Sequence, residues 1–277
     1  MFFGREWHRY PEILWQMLGK SGVSSKASSK WFRPLIKIYI RLFGLPNVSW
    51  QLKALYFRRF IKAFRFDNVL DAGCGIGLFS VYLAKKYPKA KVDACDLDND
   101  YIAVGKKMVN DLGLTNVNMF QADLLQLDES SKYDLIICMD VIEHIKDDRR
   151  LVANLYEALK PGGSLYLSTP HSRHINRHLK RFGVTYESKT HVRPGYSEKE
   201  LSEILKEAGF AIVRLKNIWG LWGEMCEEIY QLVITRLPLL VAALLFPVLV
   251  LLSSLDMFAK NRTGYGLLLI AEKGDAV

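Results

Sequence analysis

A glycine-rich segment near residue 70 carries the strongest chemical signal in the chain. The run VLDAGCGIG places Asp71, Gly73, Gly75 and Gly77 between an apolar strand pattern and a helical pattern. Glycines let a backbone turn tightly and approach a ligand at a helix N-terminus. The spacing is not the dinucleotide fingerprint G-x-G-x-x-G, and no G-K-[ST] follows as in a P-loop. We therefore expect a different small-molecule site at the end of this first strand.

Two more acids follow the next two apolar runs. Asp96 ends the run VDACD and precedes Leu97, and Asp123 ends the triplet QAD and precedes Leu124. A carboxylate at the second strand end can accept hydrogen bonds from both ribose hydroxyls of an adenosine. The third acid could accept one from an adenine amino group, with apolar neighbours against the ring. Acids at three successive strand ends are typical of ligand binding beyond the carboxyl edge of an open parallel sheet.

The fourth run ends in MDVIEHI, which contains Asp140, Glu143 and His144. Two carboxylates and an imidazole could hold a hard divalent cation, Mg²⁺ or Zn²⁺, that lowers the pKa of a bound hydroxyl. Without a metal, His144 could serve as the general base, because imidazole exchanges its proton near neutral pH. A Glu-His pair that only shapes the start of a helix is the structural alternative.

Three histidines follow the fifth apolar run, in TPHSRHINRHLKR. His171, His174 and His178 are spaced for one helical face and lie among four basic residues. This helix could contact phosphate headgroups or an anionic substrate, and a solvated surface helix is the alternative. We treat His171 and His174 as candidate substrate residues.

The elements that would position these residues alternate regularly from Asn68 onward. The predicted strands are Asn68–Leu70, Lys91–Cys95, Val117–Phe120, Tyr133–Met139, Ser164–Ser168, Ala211–Leu215 and Gly264–Glu272. The predicted helices between them are Ile76–Lys86, Asp100–Leu112, Arg149–Leu159 and Glu198–Ala208. The last of these helices opens with a capping box from Ser197 to Glu200. Alternating strands and helices predict an α/β fold, a doubly wound, mostly parallel seven-stranded sheet covered on both faces.

In this order, the motifs resemble the class I S-adenosylmethionine-dependent methyltransferases, which have a Rossmann-like fold. The resemblance rests on DAGCGIG, the acid at the second strand end, QAD, YDLIICMD and LKPGGSLYLSTP. It covers about Asn68–Lys216 plus the final strand, and it implies S-adenosylmethionine as the cofactor. The implied cofactor residues are Asp71, Gly73, Gly75 and Gly77 at the methionine end, Asp96 and Leu97 at the ribose, and Asp123 and Leu124 at the adenine.

A narrower resemblance concerns the acceptor. The pattern Asp140-x-x-Glu143-His144 resembles the quinone-pathway O-methyltransferases, in which the matching residues can hold a divalent cation beside the methyl donor. His191, in THVRP, falls where those enzymes have a similar T-H segment, and it is a further substrate candidate. The N-P-P-[FY] and D-P-P-Y motifs of amino-adenine methyltransferases are missing from the fourth strand end. A nucleic-acid acceptor is therefore disfavoured.

The beginning of the chain is basic and aromatic. Residues 1–66 carry 13 Lys and Arg, two acids and 15 aromatic side chains, and they include the predicted helices Trp31–Phe43 and Trp50–Phe66. This asymmetry points to a polyanionic partner, either a membrane surface or a nucleic acid. The density of Phe, Trp and Leu favours the membrane. We expect no signal peptide, and we expect the four scattered cysteines to be reduced thiols.

Leu237–Leu255 is a run of 19 residues without a charge, just long enough to cross a bilayer core of roughly 30 Å. We expect it not to span, because the predicted strands on either side belong to one sheet. Pro247 is expected to break the helix near its middle. A bent, re-entrant or interface-lying hairpin, assisted by the amphipathic segment Trp219–Thr235, is the expected form.

The predicted organisation has four parts. They are a basic helical extension (1–66), a cofactor-binding core (67–217), a hydrophobic membrane-associating insertion (218–263) and a final strand with a tail (264–277). We expect an enzyme that O-methylates an isoprenoid quinone, a polyprenyl-linked sugar or a glycolipid, bound peripherally or monotopically on the cytoplasmic side of a membrane. The alternatives are an RNA or protein methyltransferase and a membrane-bound scaffold without activity.

Overall fold

The computed structural model describes residue 5 and residues 33–172 and 191–274. The strands in this part of the chain form one seven-stranded sheet in the order β3-β2-β1-β4-β5-β7-β6. They are β1 (Asn68–Ala72), β2 (Lys91–Asp96), β3 (Val117–Gln121), β4 (Tyr133–Met139), β5 (Leu159–Pro170), β6 (Phe210–Ile218) and β7 (Gly266–Lys273). Strands β1 to β5 are parallel, and β7 runs antiparallel between β5 and β6. The predicted fold class is confirmed.

Eight α-helices accompany the sheet in the described residues. They are α1 (Arg33–Phe43), α2 (Val48–Phe60), α3 (Leu78–Lys86), α4 (Asn99–Asp111), α5 (Asp148–Ala158), α6 (Glu198–Glu207), α7 (Leu221–Arg236) and α8 (Leu239–Ser253). The capping box at the start of α6 is present, with Ser197 and Glu200 bonding each other's backbone. Most predicted bounds differ from the observed ones by one to three residues. The largest differences are that α2 ends at Phe60 and not at Phe66, and that β5 starts at Leu159, which pairs with Tyr133, and not at Ser164.

The described chain divides into two compact units. Unit 2 comprises residues 62–172, 191–218 and 265–274, and it contains the sheet with α3 to α6. Its central strand β4 is buried on both faces, since Leu135, Ile136, Ile137 and Cys138 have no exposed surface. Such double burial is characteristic of a parallel sheet covered by helices. It leaves the carboxyl ends of β1 to β4 as the places where polar side chains can meet a ligand.

In the described chain, unit 1 comprises residue 5 and residues 33–61 and 219–264, and its regular elements are all helices. Helices α1, α2, α7 and α8 belong to it, and Val48, Cys226, Tyr230 and Phe246 lie in its core. The chain enters and leaves this unit through β6 and β7, which pair with each other at Ile218 and Gly266. The segment between these strands therefore starts and ends at neighbouring positions of one sheet.

The expected break at Pro247 is wrong, because α8 continues through this residue. A proline inside a helix removes the hydrogen bond to the carbonyl four residues earlier. That carbonyl belongs to Ala243, and it accepts a hydrogen bond from the Tyr39 hydroxyl of α1 at 2.7 Å. The side chain from α1 thus replaces the missing backbone donor, which explains why the helix persists.

Candidate functional site

The glycine loop joins β1 to α3 and is fixed to the neighbouring strand. The backbone N–H groups of Gly73 and Cys74 both donate to the Cys95 carbonyl, at 2.8 and 2.9 Å. Gly73, Gly75 and Gly77 all have positive φ angles, of 73°, 54° and 79°. Only glycine adopts this backbone region without strain. The loop is therefore a preformed turn that directs its backbone toward the start of α3.

The three glycines meet different surroundings. A Cβ on Gly73 would lie 2.3 Å from a Val141 methyl group, and one on Gly77 would lie 2.8 Å from Met119. A Cβ on Gly75 would meet nothing within 4 Å. Gly73 and Gly77 thus serve packing, whereas the loop around Gly75 borders open space. This is the part of the loop that a ligand can approach.

Asp71 lies at the end of β1 and is only 3 % exposed. Its carboxylate accepts a hydrogen bond of 2.5 Å from the Ser80 hydroxyl in α3. Burial raises the pKa of Asp71 from 3.8 to about 6, although the hydrogen bonds from Ser80 oppose this. Asp71 consequently ties the strand to the helix that follows the loop. Sequence reasoning missed Ser80, which stands nine residues further along the chain.

Asp96 lies at the end of β2, beside the glycine loop. One carboxylate oxygen accepts from the Gly75 N–H at 2.8 Å, and the other accepts from the Asp98 N–H at 2.9 Å. The side chain is only partly buried, so its remaining lone pairs can accept hydrogen bonds from a ligand. The next residue, Leu97, is 67 % exposed and provides an apolar surface at the same strand end.

Asp123 and Leu124 follow β3, the strand beside β2. Asp123 is exposed, and its carboxylate accepts from the Leu125 N–H at 2.9 Å, capping a short 3₁₀ helix. Leu124 is 5 % exposed and packs in the main core cluster. The Asp123 carboxylate can therefore face a ligand, whereas Leu124 directs its side chain into the core.

The fourth strand end contains Asp140, Glu143 and His144. Asp140 has a φ angle of 54°, and its N–H donates to the Ser168 carbonyl at 2.9 Å. Glu143 has no exposed surface and accepts a hydrogen bond from the Thr169 hydroxyl at 3.1 Å. His144 is partly buried. Of these three predicted catalytic residues, Glu143 is thus sealed inside the protein.

His191 is the residue that the structure brings to this strand end. Its ring lies edge-on to the ring of His144, with the centroids 4.5 Å apart. The adjacent Val192 N–H donates to the Glu143 carbonyl at 3.0 Å. These contacts place the two imidazoles in one partly buried pair, although 46 residues separate them in the sequence.

Three side chains that the sequence did not indicate hold this segment in place. Arg193 forms an ion pair with Asp148 at 2.9 Å, and the Tyr196 hydroxyl donates to the same carboxylate at 2.9 Å. The guanidinium of Arg193 also lies 4.8 Å from the centre of the Tyr196 ring. Asp148 belongs to α5, so the clamp joins residues far apart in the chain. No local spacing pattern could have revealed it.

One group of possible metal ligands occurs in the described residues: Glu143, His144 and His191, whose ligand atoms lie within 4.8 Å of one another. The predicted set was Asp140, Glu143 and His144. The structure thus groups two of these residues with His191, and Asp140 is not part of the group. Imidazole and carboxylate ligands suit Zn²⁺. The donor set therefore fits a divalent cation, and it equally fits a histidine pair that exchanges a proton.

The remaining histidine candidates are separate from this group. His171 is 7 % exposed, and its N–H donates to the Tyr265 carbonyl at 2.8 Å. His171 is buried and forms a β-bridge with Tyr196, so for this residue the alternative of a solvated surface helix is wrong; its role as a substrate residue stays a prediction. His174 and His178 lie outside the described residues.

None of the four cysteines forms a disulfide, as the sequence led us to expect. Burial raises the pKa of every one of these thiols above its usual value, so each is held in the unreactive protonated form. None of them is a candidate nucleophile.

The chain matches a family model described as "Methyltransferase domain" over residues 47–215. It is 36 % identical over 119 residues to a ubiquinone biosynthesis O-methyltransferase of Coxiella burnetii (strain Dugway 5J108-111), covering 43 % of this chain and 47 % of that one. It is 33 % identical over 102 residues to a malonyl-[acyl-carrier protein] O-methyltransferase of Ilyobacter polytropus, covering 37 % of each chain. The alignments thus span half or less of these two relatives.

Among solved structures, the chain is similar to phosphoethanolamine N-methyltransferase 2 of Haemonchus contortus in complex with S-adenosyl-L-methionine. The TM-score is 0.56 with 22 % sequence identity, over 80 % of this chain and 53 % of that one. At this identity the likeness shows a shared fold. The matched family region contains the glycine loop, the three acids at the strand ends and the pair of imidazoles.

Proposed function

Because the chain belongs to the S-adenosylmethionine-dependent methyltransferases, we propose that it transfers a methyl group to an oxygen atom of a hydrophobic or lipid-linked acceptor. The observation that carries this proposal is the arrangement at the carboxyl ends of β1 to β4. There, an open glycine loop and a partly buried acid stand beside a histidine pair. The loop and the acid suit an adenosine-bearing cofactor, and the histidine pair suits removal of a proton from the acceptor.

The residues present fit S-adenosylmethionine. The open space at Gly75 admits the ligand to the loop, and Asp96 retains lone pairs for the ribose hydroxyls. The exposed Asp123 is placed for the adenine amino group, and Leu97 for the apolar face of the ring. When bound, the cofactor supplies a methyl group on a sulfonium sulfur, so the protein mainly positions the reactants.

The proton of the acceptor hydroxyl needs a base. An imidazole nitrogen of His144 would accept it, since imidazole exchanges protons near neutral pH. His191, packed edge-on at 4.5 Å, would restrict the orientation of the His144 ring. Glu143 holds the turn through its contact with Thr169. In this assignment Glu143 and His191 are positioning residues, and His144 is the catalytic one.

In a second version of this proposal, a divalent cation takes part at the fourth strand end. Glu143, His144 and His191 would be its ligands, and the cation would supply Lewis-acid stabilisation of a developing alkoxide. Titration of the protein with Zn²⁺ or Mg²⁺ in a calorimeter tests this without an activity assay. Binding that disappears in His191→Ala would support the cation, whereas heat identical to that of buffer alone would exclude it.

The acceptor class rests on the composition of the chain outside the family core. The basic, aromatic beginning and the uncharged run of residues 237–255 favour a substrate in or on a membrane. We propose that the protein acts on the cytoplasmic side of a membrane rich in anionic lipids. Isoprenoid quinones, polyprenyl-linked sugars and glycolipids are acceptors of suitable chemistry.

The test is the transfer of an isotopically labelled methyl group from S-adenosylmethionine to membrane lipid extracts, followed by mass spectrometry. With a ¹³C-labelled methyl group, we expect a lipid-soluble product that is about 15 daltons heavier than its precursor, which is the mass of one added ¹³CH₂ (about 14 daltons without the label). Label that enters only RNA or protein would overturn the acceptor class. Cofactor binding without transfer to any of these three fractions would indicate a scaffold.

Two variants separate the roles at the fourth strand end. His144→Ala should lower kcat by roughly 10²- to 10⁴-fold, the usual contribution of general acid–base catalysis, with cofactor affinity nearly unchanged. Thr169→Ala, which alters only the support of Glu143, serves as the matched control and should lower kcat much less. Equal turnover in His144→Ala and the unaltered protein would leave the pair a structural role.

A further inference from the structure

Helix α8 is apolar on every side but is only half covered. Its inner face, with Ala242, Phe246 and Val250, is at most 3 % exposed. On the opposite side, Leu240 and Leu244 are 70 % and 68 % exposed. Val248, Leu251 and Leu255 continue the same helical stripe at 49 %, 47 % and 41 %. A helix that is hydrophobic all round normally lies inside a protein core or in a membrane.

The outer side of α7 is apolar as well. Leu221, Met225 and Ile229 recur every four residues and are 65 %, 41 % and 41 % exposed. The acids of this helix do not share that side, since Glu224 and Glu228 are only 6 % and 8 % exposed. A helix in water normally shows the reverse distribution. We call the two exposed stripes of α7 and α8 together the outer face of the hairpin.

The buried acids of unit 1 include carboxylates that hold the ends of helices. Asp256 has no exposed surface and accepts from the N–H groups of Trp222 and Gly223, at 3.3 and 2.8 Å. Glu227 is partly buried and accepts from the Ser49 N–H in the first turn of α2 at 3.0 Å. Carboxylates at helix N-termini are stabilising. These carboxylates therefore bind backbone N–H groups within the unit.

The positive charges of unit 1 lie at its surface. None of the acids in its described residues is exposed, whereas seven basic side chains are: Arg5, Lys37, Arg41, Arg59, Arg236, Lys260 and Arg262. Arg236 ends α7 beside the turn of the hairpin, and Lys260 and Arg262 follow its other end. The described residues of this unit therefore present apolar, neutral polar and basic side chains as their exposed groups.

We propose that the outer face of the α7–α8 hairpin inserts into one leaflet of an anionic membrane, with both helices lying along the membrane surface. Exposed apolar stripes meet the acyl chains, and basic groups at both ends of the hairpin meet phosphate headgroups. An insertion with the turn pointing inward would bury Arg236 in the acyl region. The inference deepens the membrane location in the proposed function, and it stands or falls on binding alone.

Two features argue against a span. The 15 residues of α8 measure about 22 Å at 1.5 Å per residue, which is short of the roughly 30 Å of a bilayer core. Together with its 3₁₀ extension, the helix covers Leu240–Met257 and is, by length and composition, long and apolar enough to cross a membrane. However, Asp256 bonds the end of this extension to the start of α7. The start of α7 and the end of the 3₁₀ extension, where the chain enters and leaves the hairpin, are therefore bonded to each other.

The test uses flotation of the full chain with phosphatidylcholine vesicles that either contain or lack phosphatidylglycerol. Leu244→Gln, in the centre of the outer face, should weaken binding to both kinds of vesicle by roughly tenfold. This corresponds to the transfer free energy of a largely exposed leucine. Val213→Gln is the matched control, because Val213 is 55 % exposed in β6 of unit 2 and should leave binding unchanged.

The basic groups are tested by charge reversal. Lys260→Glu with Arg262→Glu, at the open end of the hairpin, should weaken binding to the anionic vesicles by at least about thirtyfold, because it removes two attractive contributions of about 1 kcal/mol each and adds two repelling charges. Lys86→Glu with Lys106→Glu changes the net charge equally in unit 2 and is the control. Equal losses from both pairs would mean that net charge, and not this surface, directs binding.

Orientation is read from single cysteines in place of Arg236 and Lys260, labelled with a membrane-impermeant reagent on intact vesicles. Both should react from the side to which the protein was added. Protection of either one alone would show a span or a tip-first insertion and would overturn the proposal. A stable dimer that Leu244→Gln converts to a monomer, with vesicle binding unaffected, would assign the outer face to a second copy.

These outcomes are independent of catalysis. Each variant should bind S-adenosylmethionine as the unaltered protein does, which calorimetry can measure without vesicles. Loss of vesicle binding with intact cofactor binding supports the surface assignment. A protein that transfers methyl groups but never floats with vesicles would refute the surface and leave the methyltransferase proposal standing.

Discussion

Asp96 of unit 2 and Asp256 of unit 1 make nearly the same hydrogen bonds. Each carboxylate accepts two backbone N–H groups, those of Gly75 and Asp98 in one case and those of Trp222 and Gly223 in the other. Their exposure differs, since Asp96 is partly buried and Asp256 is fully buried. Asp96 can therefore serve a ligand as well as the loop, whereas Asp256 serves the fold alone.

The exposure of acidic side chains also differs between the two units as a whole. In unit 2, acids at the carboxyl edge of the sheet remain accessible, and the apolar side chains fill the interior. In the described residues of unit 1, the acids are buried or partly buried and apolar stripes are exposed. Neither residue type nor local hydrogen bonding distinguishes a binding acid from a structural one. What distinguishes the two kinds of acid is whether the remaining lone pairs of the carboxylate are accessible. Substitutions at acids of both kinds can test this distinction.

The largest effect is expected at the buried acid of unit 2. In the protein, the pKa of Asp71 rises from 3.8 to about 6, which corresponds to roughly 3 kcal/mol. The folded state holds this proton more tightly than the unfolded state, so the Asp71 contribution to stability falls as the pH rises from about 4 to about 6. Asp71→Asn should remove this part of the pH dependence, as urea unfolding of the cofactor-free protein at several pH values would reveal.

Ser80→Ala is the companion variant, because it deletes the hydroxyl that bonds Asp71 but leaves the acid. It should steepen the fall in stability over the same pH range. Parallel pH profiles for Asp71→Asn and the unaltered chain would contradict the assigned pKa.

The next effect is expected at Asp256. Asp256→Ala leaves two backbone N–H groups at the start of α7 without their acceptor. Unsatisfied buried donors cost about 1–3 kcal/mol, so we expect a loss of about 2 kcal/mol in the free energy of unfolding. Asp256→Asn keeps an acceptor oxygen and should lose less. If both variants unfold at the same denaturant concentration as the parent, Asp256 is not the cap that its geometry indicates.

A smaller effect is expected at Asp96, and it should appear in binding. Asp96→Ala removes the acceptor for the ribose hydroxyls and should weaken S-adenosylmethionine binding roughly tenfold, or about 1.4 kcal/mol. Calorimetric titration measures it. Asp93→Ala, in the same strand but bonded to Tyr133, is the control that should keep cofactor affinity. Unaltered affinity in Asp96→Ala would place the ribose elsewhere.

The smallest effect is expected at Ser197, an uncharged helix cap whose loss can be compared with that of the buried, charged cap Asp256. Ser197→Ala removes the side chain that accepts from the Glu200 N–H at the start of α6. Loss of such a cap typically costs about 1 kcal/mol. Thermal or urea unfolding should detect this cost without any change in cofactor binding. A loss as large as that of Asp256→Ala would mean that burial adds little to the value of a cap.

Much of unit 2 could be predicted from the sequence because its signals are local. The glycine loop, each acid at a strand end and the capping box are signals within fewer than ten residues. Regular alternation of strand and helix patterns predicts a mostly parallel sheet covered by helices. The final strand itself was predicted, but its position between β5 and β6 was not, because no local pattern indicates which strands it pairs with. Element ends were less predictable, because pairing partners such as Tyr133 for Leu159 determine where a strand begins.

The missed features depend on contacts between distant residues. His191 is held beside His144 by the clamp of Arg193, Asp148 and Tyr196 and by a backbone hydrogen bond, and neither contact has a signature in the sequence. Pro247 was expected to break α8, and no helical pattern could show that Tyr39 would supply the missing donor. The inward orientation of the acids in α7 likewise requires knowledge of what packs against the helix.

The position of β7 has a consequence for the order in which the chain is completed during synthesis. β7 is the only strand that pairs with β6 in the described sheet, and it also covers the free edge of β5. Both edges remain unpaired until residues 266–273 have left the ribosome, and unpaired edges invite aggregation. The apolar hairpin emerges before β7 does. If the hairpin binds a membrane as proposed, a nascent chain could attach while its sheet is still open, and this attachment would keep its exposed edges apart from those of other nascent chains.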